Sequence, residues 1–197
     1  PESLWFCLRL EESSPGRKSR DKVKLVLKHL DSMLGASDPE KIRPVIRSPD
    51  GDWERLPPGI PQCLSDGRRN AVWYVDHPDP TLDIALCYPY GRPEIEALIT
   101  DTGAYWKLDE IGVSQEGRSL IRLCNYTSLE EDERPGVFIV ARQHSGETPG
   151  SWVMDGFLRH IATLGDAAPL VWSIPLAHID GVEEGDYCKD GFPYDLN

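Results

Sequence analysis

The amino-acid sequence predicts an α/β protein in which an N-terminal antiparallel β-sandwich is followed by the start of an α/β domain with a mixed sheet. Two observations lead to this fold class. Short apolar runs separated by turn signals fill residues 1–87, and a strand–helix–strand pattern occupies much of residues 88–197. Of the 197 residues, 40% are hydrophobic, which is enough to form the cores of one or two domains. We therefore predict a domain boundary between residues 87 and 88.

The sandwich prediction rests on four runs rich in leucine, valine and aromatic residues: SLWFCLRL, VKLVLKHL, NAVWYV and LDIALCY. Within VKLVLKHL, apolar positions alternate with Lys24 and Lys28, as in a strand with one face in water. Turn-forming stretches such as SSPGR, SPDGDW, PPGIP and HPDP separate the runs. Short strands at this spacing are typical of an antiparallel sandwich.

The second part begins with a helix in YPYGRPEIEALI. Pro93 suits the first turn of a helix, and Ile95 and Leu98 give that helix an apolar face. SLIRLCNY then predicts a strand, and the fully apolar GVFIVA predicts a buried strand.

A longer helix follows GVFIVA. Thr148 and Pro149 are the predicted N-cap and first helical residue, and Gly165 is the predicted end. Apolar residues recur at helical spacing between them: Met154, Phe157, Leu158 and Ile161. PLVWSIPLA supplies the next apolar strand. We therefore predict parallel strands at 136–142 and 169–176, joined by this helix.

The charge balance is acidic, with 33 Asp and Glu against 21 Lys and Arg and a formal net charge of −12. This balance argues against a nucleic-acid partner, because binding phosphate needs a positive field. It also disfavours an anionic membrane surface. No apolar stretch of the sequence approaches the roughly 20 residues that a membrane span needs.

The cysteines favour a reducing compartment. They are five in number, scattered, and form no Cys-x-x-Cys pair, so we interpret them as small buried hydrophobic residues. The opening PESLWFCLRLEES lacks the basic start and long apolar run of a signal peptide. The predicted location is therefore the cytoplasm. The cysteines are Cys7, Cys63, Cys87, Cys124 and Cys188.

A candidate metal site lies where GVFIVA gives way to the second helix, at His144 and Glu147. Ligands of open α/β sheets bind beyond the carboxyl ends of strands, which is where these two residues fall. Only Ser145 and Gly146 separate them, so both side chains can turn inward, and an imidazole with a carboxylate suits Zn²⁺. His-x-x-Glu by itself is common, and the alternative is a pair of polar loop residues.

The sequence segments around this pair strengthen the interpretation of His144 and Glu147 as metal ligands. RQHSGETPGSWVMDGFL resembles the signature of the zinc metallocarboxypeptidases, most closely the cytosolic carboxypeptidase branch. YPYGRPEIEALI resembles the family's junction between sandwich and catalytic domain, and LDEIGVSQEGRSLIRL resembles its strand hairpin. IPLAHIDGVEEGDYCKDGFPYDLN resembles the segment that ends in Asp-Leu-Asn-Arg.

The resemblance implies roles for particular residues. His144 and Glu147 would be two of three protein zinc ligands, and Asn197 would hold the C-terminal carboxylate of a peptide substrate. The reaction would be hydrolysis of the last peptide or isopeptide bond, in a catalytic domain of which residues 88–197 form the first part. The family's third ligand, a histidine, its general-base glutamate and its arginine after the asparagine are expected downstream of Asn197. We therefore expect these 197 residues alone to bind zinc weakly and to hydrolyse nothing.

The sequence departs from the family pattern at two places. The family's Asn-Pro-Asp-Gly is replaced by His178-Ile-Asp-Gly, and a family arginine is replaced by Cys188 with Lys189 beside it. Lys189 could donate to a substrate oxyanion, although without the bidentate fork of arginine, or it could be a solvated loop charge. His178 could replace the missing ligand, or it could be a structural or supporting histidine, which we favour.

Two other functions stay open at this point. One is a zinc acylase of the aspartoacylase kind, which also uses His-x-x-Glu but carries its extra β-domain after the catalytic part. The other is a non-catalytic binding module built on the sandwich. A histidine on a later strand together with a late glutamate would distinguish a peptidase from both. The sequence does not indicate which C-terminal residue would be removed.

Overall fold

The computed structural model divides the chain into two compact units, Pro1–Pro89 and Tyr90–Asn197. The residues that the structure describes are 5–11, 22–32, 38–76, 81–126 and 134–185.

The first unit contains seven described strands in two sheets. The strands are β1 (Cys7–Glu11), β2 (Val23–Leu27), β3 (Val45–Arg47), β4 (Glu54–Arg55), β5 (Ile60–Cys63), β6 (Arg69–Val75) and β7 (Thr81–Ala85). One sheet has the order β1-β7-β3-β4 and the other β2-β6-β5, and every described pairing is antiparallel. The predicted antiparallel sandwich is confirmed.

The core of the first unit follows from period-two alternation of apolar residues. In β2, Val23, Leu25 and Leu27 are half-buried while Lys24 and Val26 are exposed, as the sequence predicts. The fully or nearly fully buried side chains include Leu30, Val45, Ala71 and Leu82. The short strands β3, β4 and β5 escaped the sequence analysis because each is too brief to show a periodic pattern.

The second unit is a mixed four-stranded sheet with three described helices. The elements are α1 (Arg92–Asp101), β8 (Lys107–Val113), β9 (Ser119–Cys124), β10 (Gly136–Val140), α2 (Thr148–Thr163), β11 (Leu170–Ile174) and α3 (Ile179–Glu184). The sheet order is β10-β11-β9-β8. Strands β10 and β11 are parallel, and the other pairs are antiparallel. The predicted βαβ unit and mixed sheet are confirmed.

Helix α2 packs its apolar stripe into the core of the second unit. Met154, Leu158 and Ile161 are at most 4% exposed and lie in one cluster with residues of α1 and of the central strands. The helix starts one residue earlier than predicted, because Glu147 is the N-cap and Thr148 is already helical. Gly165 follows the C-cap with a φ of 54°, a left-handed conformation that glycine adopts readily.

The prediction that GVFIVA is a buried strand is wrong. Strand β10 lies at the end of the sheet order, and its Phe138 is 61% exposed. Phe138 points to the face opposite to that of Val137 and Ile139, which pack against the core. An apolar run therefore identified the strand but not its position in the sheet.

The prediction that all five cysteines are buried is also wrong. Cys124 is buried, Cys87 is intermediate, and Cys7 and Cys63 are exposed on strands of the first unit. Their strand faces point to solvent, which a scattered sequence pattern does not reveal. Cys188 lies outside the described residues. No helix in the described part of the chain is long and apolar enough to cross a membrane.

Candidate metal centre

The candidate site is built on the corner between β10 and α2. After β10, Ala141 still pairs with the neighbouring strand, since its amide donates to Ile174 O at 3.0 Å. Arg142 then takes the left-handed φ of 61°, which turns the chain away from the sheet. Helix α2 begins at Thr148, so residues 142–147 form the whole corner.

The corner brings His144 and Glu147 together. His144 Nδ1 lies 3.1 Å from Glu147 Oε1, and the Glu147 amide donates to His144 O at 3.1 Å. His144 is only 7% exposed, whereas 57% of the Glu147 side chain is accessible. The pair therefore offers a metal ion one buried ligand, the His144 imidazole, and one solvent-accessible ligand, the Glu147 carboxylate.

The spacing of these two atoms fits a shared zinc ion. Zinc–nitrogen and zinc–oxygen bonds of about 2.0–2.2 Å in a tetrahedron place two ligand atoms roughly 3.3–3.5 Å apart. The observed 3.1 Å, which is also a normal hydrogen-bond length, is a few tenths of an ångström shorter than that separation. Glu147 also sits at the N-terminus of a 16-residue helix, where the helix dipole favours an acidic side chain.

The backbone on the other side of the corner comes from the turn after β11. The amides of Ala177 and His178 donate to the carbonyls of Ala141 and Arg142, at 3.0 and 2.8 Å. His178 is 4% exposed. Burial lowers the pKa of its imidazole below the ordinary value, and the nearby His144 lowers it further while Asp180 opposes the shift. Burial therefore favours the neutral form of this imidazole.

His178 does not join the two candidate ligands in one donor group. Within the described part of the chain, no cluster of three or more His, Cys, Asp or Glu side chains could hold a metal ion. The structure thus favours the interpretation of His178 as a supporting residue; it occupies the N-cap position of α3, where its side chain makes no capping hydrogen bond.

Sequence reasoning missed Arg142, whose buried side chain lies under the corner. Its Nε and Nη2 donate to Ser145 O at 2.9 and 2.6 Å, and its Nη1 donates to Tyr90 O at 2.9 Å. Tyr90 in turn donates its hydroxyl to Asp155 Oδ2 at 3.0 Å, and burial raises the pKa of that hydroxyl. The feature of the sequence that could have identified Arg142 is a charged residue directly after an apolar strand.

Two of the segments that carried the family resemblance meet at Asp180. Its carboxylate accepts from Ser114 Oγ and Arg118 Nη1, both at 2.7 Å, and from the Glu116 amide at 3.3 Å. Burial acts to raise the pKa of this carboxyl, but the hydrogen bonds from Ser114 and Arg118 outweigh it and lower the pKa. The hairpin between β8 and β9 is thereby tied to the start of α3, beside His178.

Comparisons with known proteins identify relatives of this chain. Cytosolic carboxypeptidase 6 of Mus musculus is 30% identical over 165 residues, covering 74% of this chain and 30% of that protein. Cytosolic carboxypeptidase 2 of Danio rerio is 31% identical over 144 residues, covering 64% of this chain and 20% of that protein. The chain is a homologue of the cytosolic carboxypeptidases. No family model matches it.

Solved structures of metallocarboxypeptidases share the fold. The metallo-carboxypeptidase of Burkholderia cenocepacia superposes with a TM-score of 0.69 at 20% identity, over 94% of this chain and 50% of that one. A Pseudomonas aeruginosa metallo-carboxypeptidase in complex with (2-guanidinoethylmercapto)succinic acid gives 0.66 at 18% identity, over 95% and 51%. The chain therefore spans about a third or less of these curated relatives and half of these structures. The family resemblance drawn from the sequence is confirmed.

The remaining residues assigned by resemblance to the cytosolic carboxypeptidases lie outside the described residues. These are Asn197, Lys189 and the neighbouring Cys188. Their roles stay predictions, as does the assignment of residues 88–197 to the first part of a catalytic domain.

Proposed function

We propose that this chain belongs to a zinc-dependent metallocarboxypeptidase that acts in the cytoplasm on the C-termini of peptides or proteins. The observation that carries the proposal is the 3.1 Å approach of His144 Nδ1 and Glu147 Oε1 at the carboxyl end of a parallel strand. Homology to cytosolic carboxypeptidases supports the reaction class.

In this proposal His144 and Glu147 hold the metal ion. Bound zinc would supply Lewis acidity toward the scissile carbonyl and lower the pKa of water. The chain's own contribution is geometric: the buried imidazole fixes one ligand position, and the accessible carboxylate leaves the solvent side open to substrate.

The substrate end of the site is proposed from the family resemblance. Asn197 would hold the terminal carboxylate of the substrate, and Lys189 would donate to it or to a developing oxyanion. An isopeptide bond at a branched C-terminus presents the same carboxylate and is a second substrate class for the same residues.

The test is an activity assay on the product of the complete reading frame. The protein is incubated with peptides of varied C-terminal residue while Zn²⁺ is titrated, and mass spectrometry follows loss of the last residue. We expect zinc-dependent stepwise shortening that His144→Ala and Glu147→Gln abolish and His160→Ala leaves intact, since His160 is exposed near the far end of α2.

Other outcomes would overturn the proposal. Hydrolysis of N-acyl amino acids without peptide shortening would indicate an acylase. Zinc binding without any hydrolysis would indicate a binding module. The 197-residue chain assayed beside it is expected to bind zinc weakly and to leave the peptides unchanged.

A further inference from the structure

Arg142 is a positively charged side chain in the interior of the second unit. It is 1% exposed and is among the largest fully buried side chains in the described part of the chain. Burying a guanidinium is unfavourable unless hydrogen bonds replace its water. Three of its donor atoms are satisfied by main-chain oxygens of Ser145 and Tyr90.

The Ser145 carbonyl, which accepts two of these hydrogen bonds, lies between the two candidate metal ligands. Ser145 directly follows His144 and precedes Glu147 by two residues, and its own exposure is 0%. A carbonyl held by two donors, at 2.9 and 2.6 Å, cannot rotate without losing both bonds. The orientation of the peptide unit between the two candidate ligands is therefore set by the guanidinium.

The backbone of Arg142 adds a second constraint. Its φ of 61° is uncommon for a residue with a side chain, and such conformations persist where the surroundings impose them. The His178 amide donates to Arg142 O at 2.8 Å and holds the residue to the turn after β11. One residue thus links the strand end, the ligand loop and the start of the second unit at Tyr90.

We propose that Arg142 is a positioning residue, whose buried guanidinium holds the 142–147 loop in the conformation that aligns His144 and Glu147 and thereby sets their affinity for a divalent metal ion. This inference rests on the proposed metal site. A lysine cannot replace the arginine, because the contact to Ser145 O uses two nitrogens of the planar fork while a third reaches Tyr90 O.

The experiment is a Zn²⁺ titration of the 197-residue protein, read by calorimetry, for the parent and for Arg142→Lys. Removing a group that orients metal ligands typically costs 10- to 100-fold in affinity, and we expect a loss of at least about 10-fold. The matched control is Arg159→Lys, which removes another arginine fork of the same unit, bonded to Asp155 and Asp101. We expect that control to change the affinity less than about twofold.

A second measurement needs no variant. In the metal-free parent protein, the amides of His178 and Glu147 should already be protected from hydrogen exchange, because Arg142 holds the corner before metal binds. Exchange of both at unprotected rates would overturn the proposal, and so would an unchanged affinity in a folded Arg142→Lys protein. If the parent binds no zinc through His144, the metal site itself has failed, which a His144→Ala titration shows separately.

Discussion

The two units differ in how many polar side chains they bury. Among the described residues, eleven polar or charged side chains are buried, and nine of these lie in the second unit. Five of the nine fall between Arg142 and Ser151, at the corner that carries the candidate site and in the first turn of α2. The described part of the first unit buries Asn70 and Asp83, and it forms accessible pairs such as Arg69–Asp31 and Arg68–Asp66.

This contrast indicates that the second unit contains more of the buried polar groups that can lower the free energy of unfolding. A buried polar group destabilises the folded state unless it is fully hydrogen-bonded, whereas an accessible ion pair contributes little either way. A concentration of satisfied buried polar groups at one strand end therefore points to function. If this is right, removing one buried partner in the second unit should cost far more than removing its accessible counterpart.

The largest effect is expected for Asp155→Ala. Asp155 is 5% exposed and accepts from the Tyr90 hydroxyl and from Arg159 Nε at 2.6 Å. Its loss leaves the Tyr90 hydroxyl buried without this acceptor, so we expect the free energy of unfolding to fall by about 3 kcal/mol. Urea denaturation, with hydrogen exchange read in α2, measures it.

The matched control for that variant is Asp101→Ala. Asp101 also accepts from Arg159, at 2.8 Å, but its side chain is 59% exposed. We expect a change below about 0.5 kcal/mol. Equal losses in the two variants would contradict the contrast between buried and accessible partners.

A smaller effect is expected for Asp180→Ala. This change removes the acceptor of Ser114 Oγ, Arg118 Nη1 and the Glu116 amide, and loosens the hairpin from α3. Because Arg118 is partly accessible and can be hydrated, the expected loss is about 2 kcal/mol by urea denaturation. Glu184→Ala, which removes the accessible partner of the same arginine, should cost less than about 0.5 kcal/mol.

Apart from the two control variants, the smallest loss of stability is expected in the first unit, for Asp83→Asn. A hydrogen bond from Arg9, aided by Arg47, lowers the pKa of the Asp83 carboxyl despite its partial burial. Stabilisation by the ionised form is therefore complete above the unfolded-state pKa of about 3.9 and is lost as the pH falls through the lower folded-state pKa. We expect Asp83→Asn to cost about 1 kcal/mol at pH 7.

The pH dependence checks the sign of that prediction. The difference between Asp83→Asn and the parent, measured by urea denaturation from pH 7 downward, should shrink toward zero below pH 4. A difference that grows as the pH falls would show that Asp83 is not stabilised as a carboxylate.

Local patterns in the sequence predicted much of this fold. The 3.6-residue spacing of apolar residues in α2 and the alternation in β2 each reflect one buried face, so both elements were found. The exposure of Phe138 was missed because the place of a strand in a sheet depends on pairing with distant residues. The His144–Glu147 pair was readable because its spacing is local.

The supporting residues of the site could not be predicted from local sequence patterns. Arg142 reaches Tyr90, which lies 52 positions earlier, and Asp180 reaches Ser114, 66 positions earlier. Neither contact leaves a periodic trace in the sequence. Arg142 and Asp180 lie in sequence segments that resemble the family, but that resemblance does not indicate which atoms are in contact.

We propose that His144 Nδ1 and the Glu147 carboxylate bind one zinc ion at the β10–α2 corner. The most direct test is the long-range proton–nitrogen NMR spectrum of the histidine rings in the 197-residue protein, recorded as Zn²⁺ is added. The His144 resonances are assigned by their absence in His144→Ala. We predict that His144 Nδ1 moves to a metal-coordinated shift while the rings of His29 and His160 do not change, and that Glu147→Gln weakens the response. A zinc-dependent shift at His29 or His160 with His144 unaffected would contradict the account.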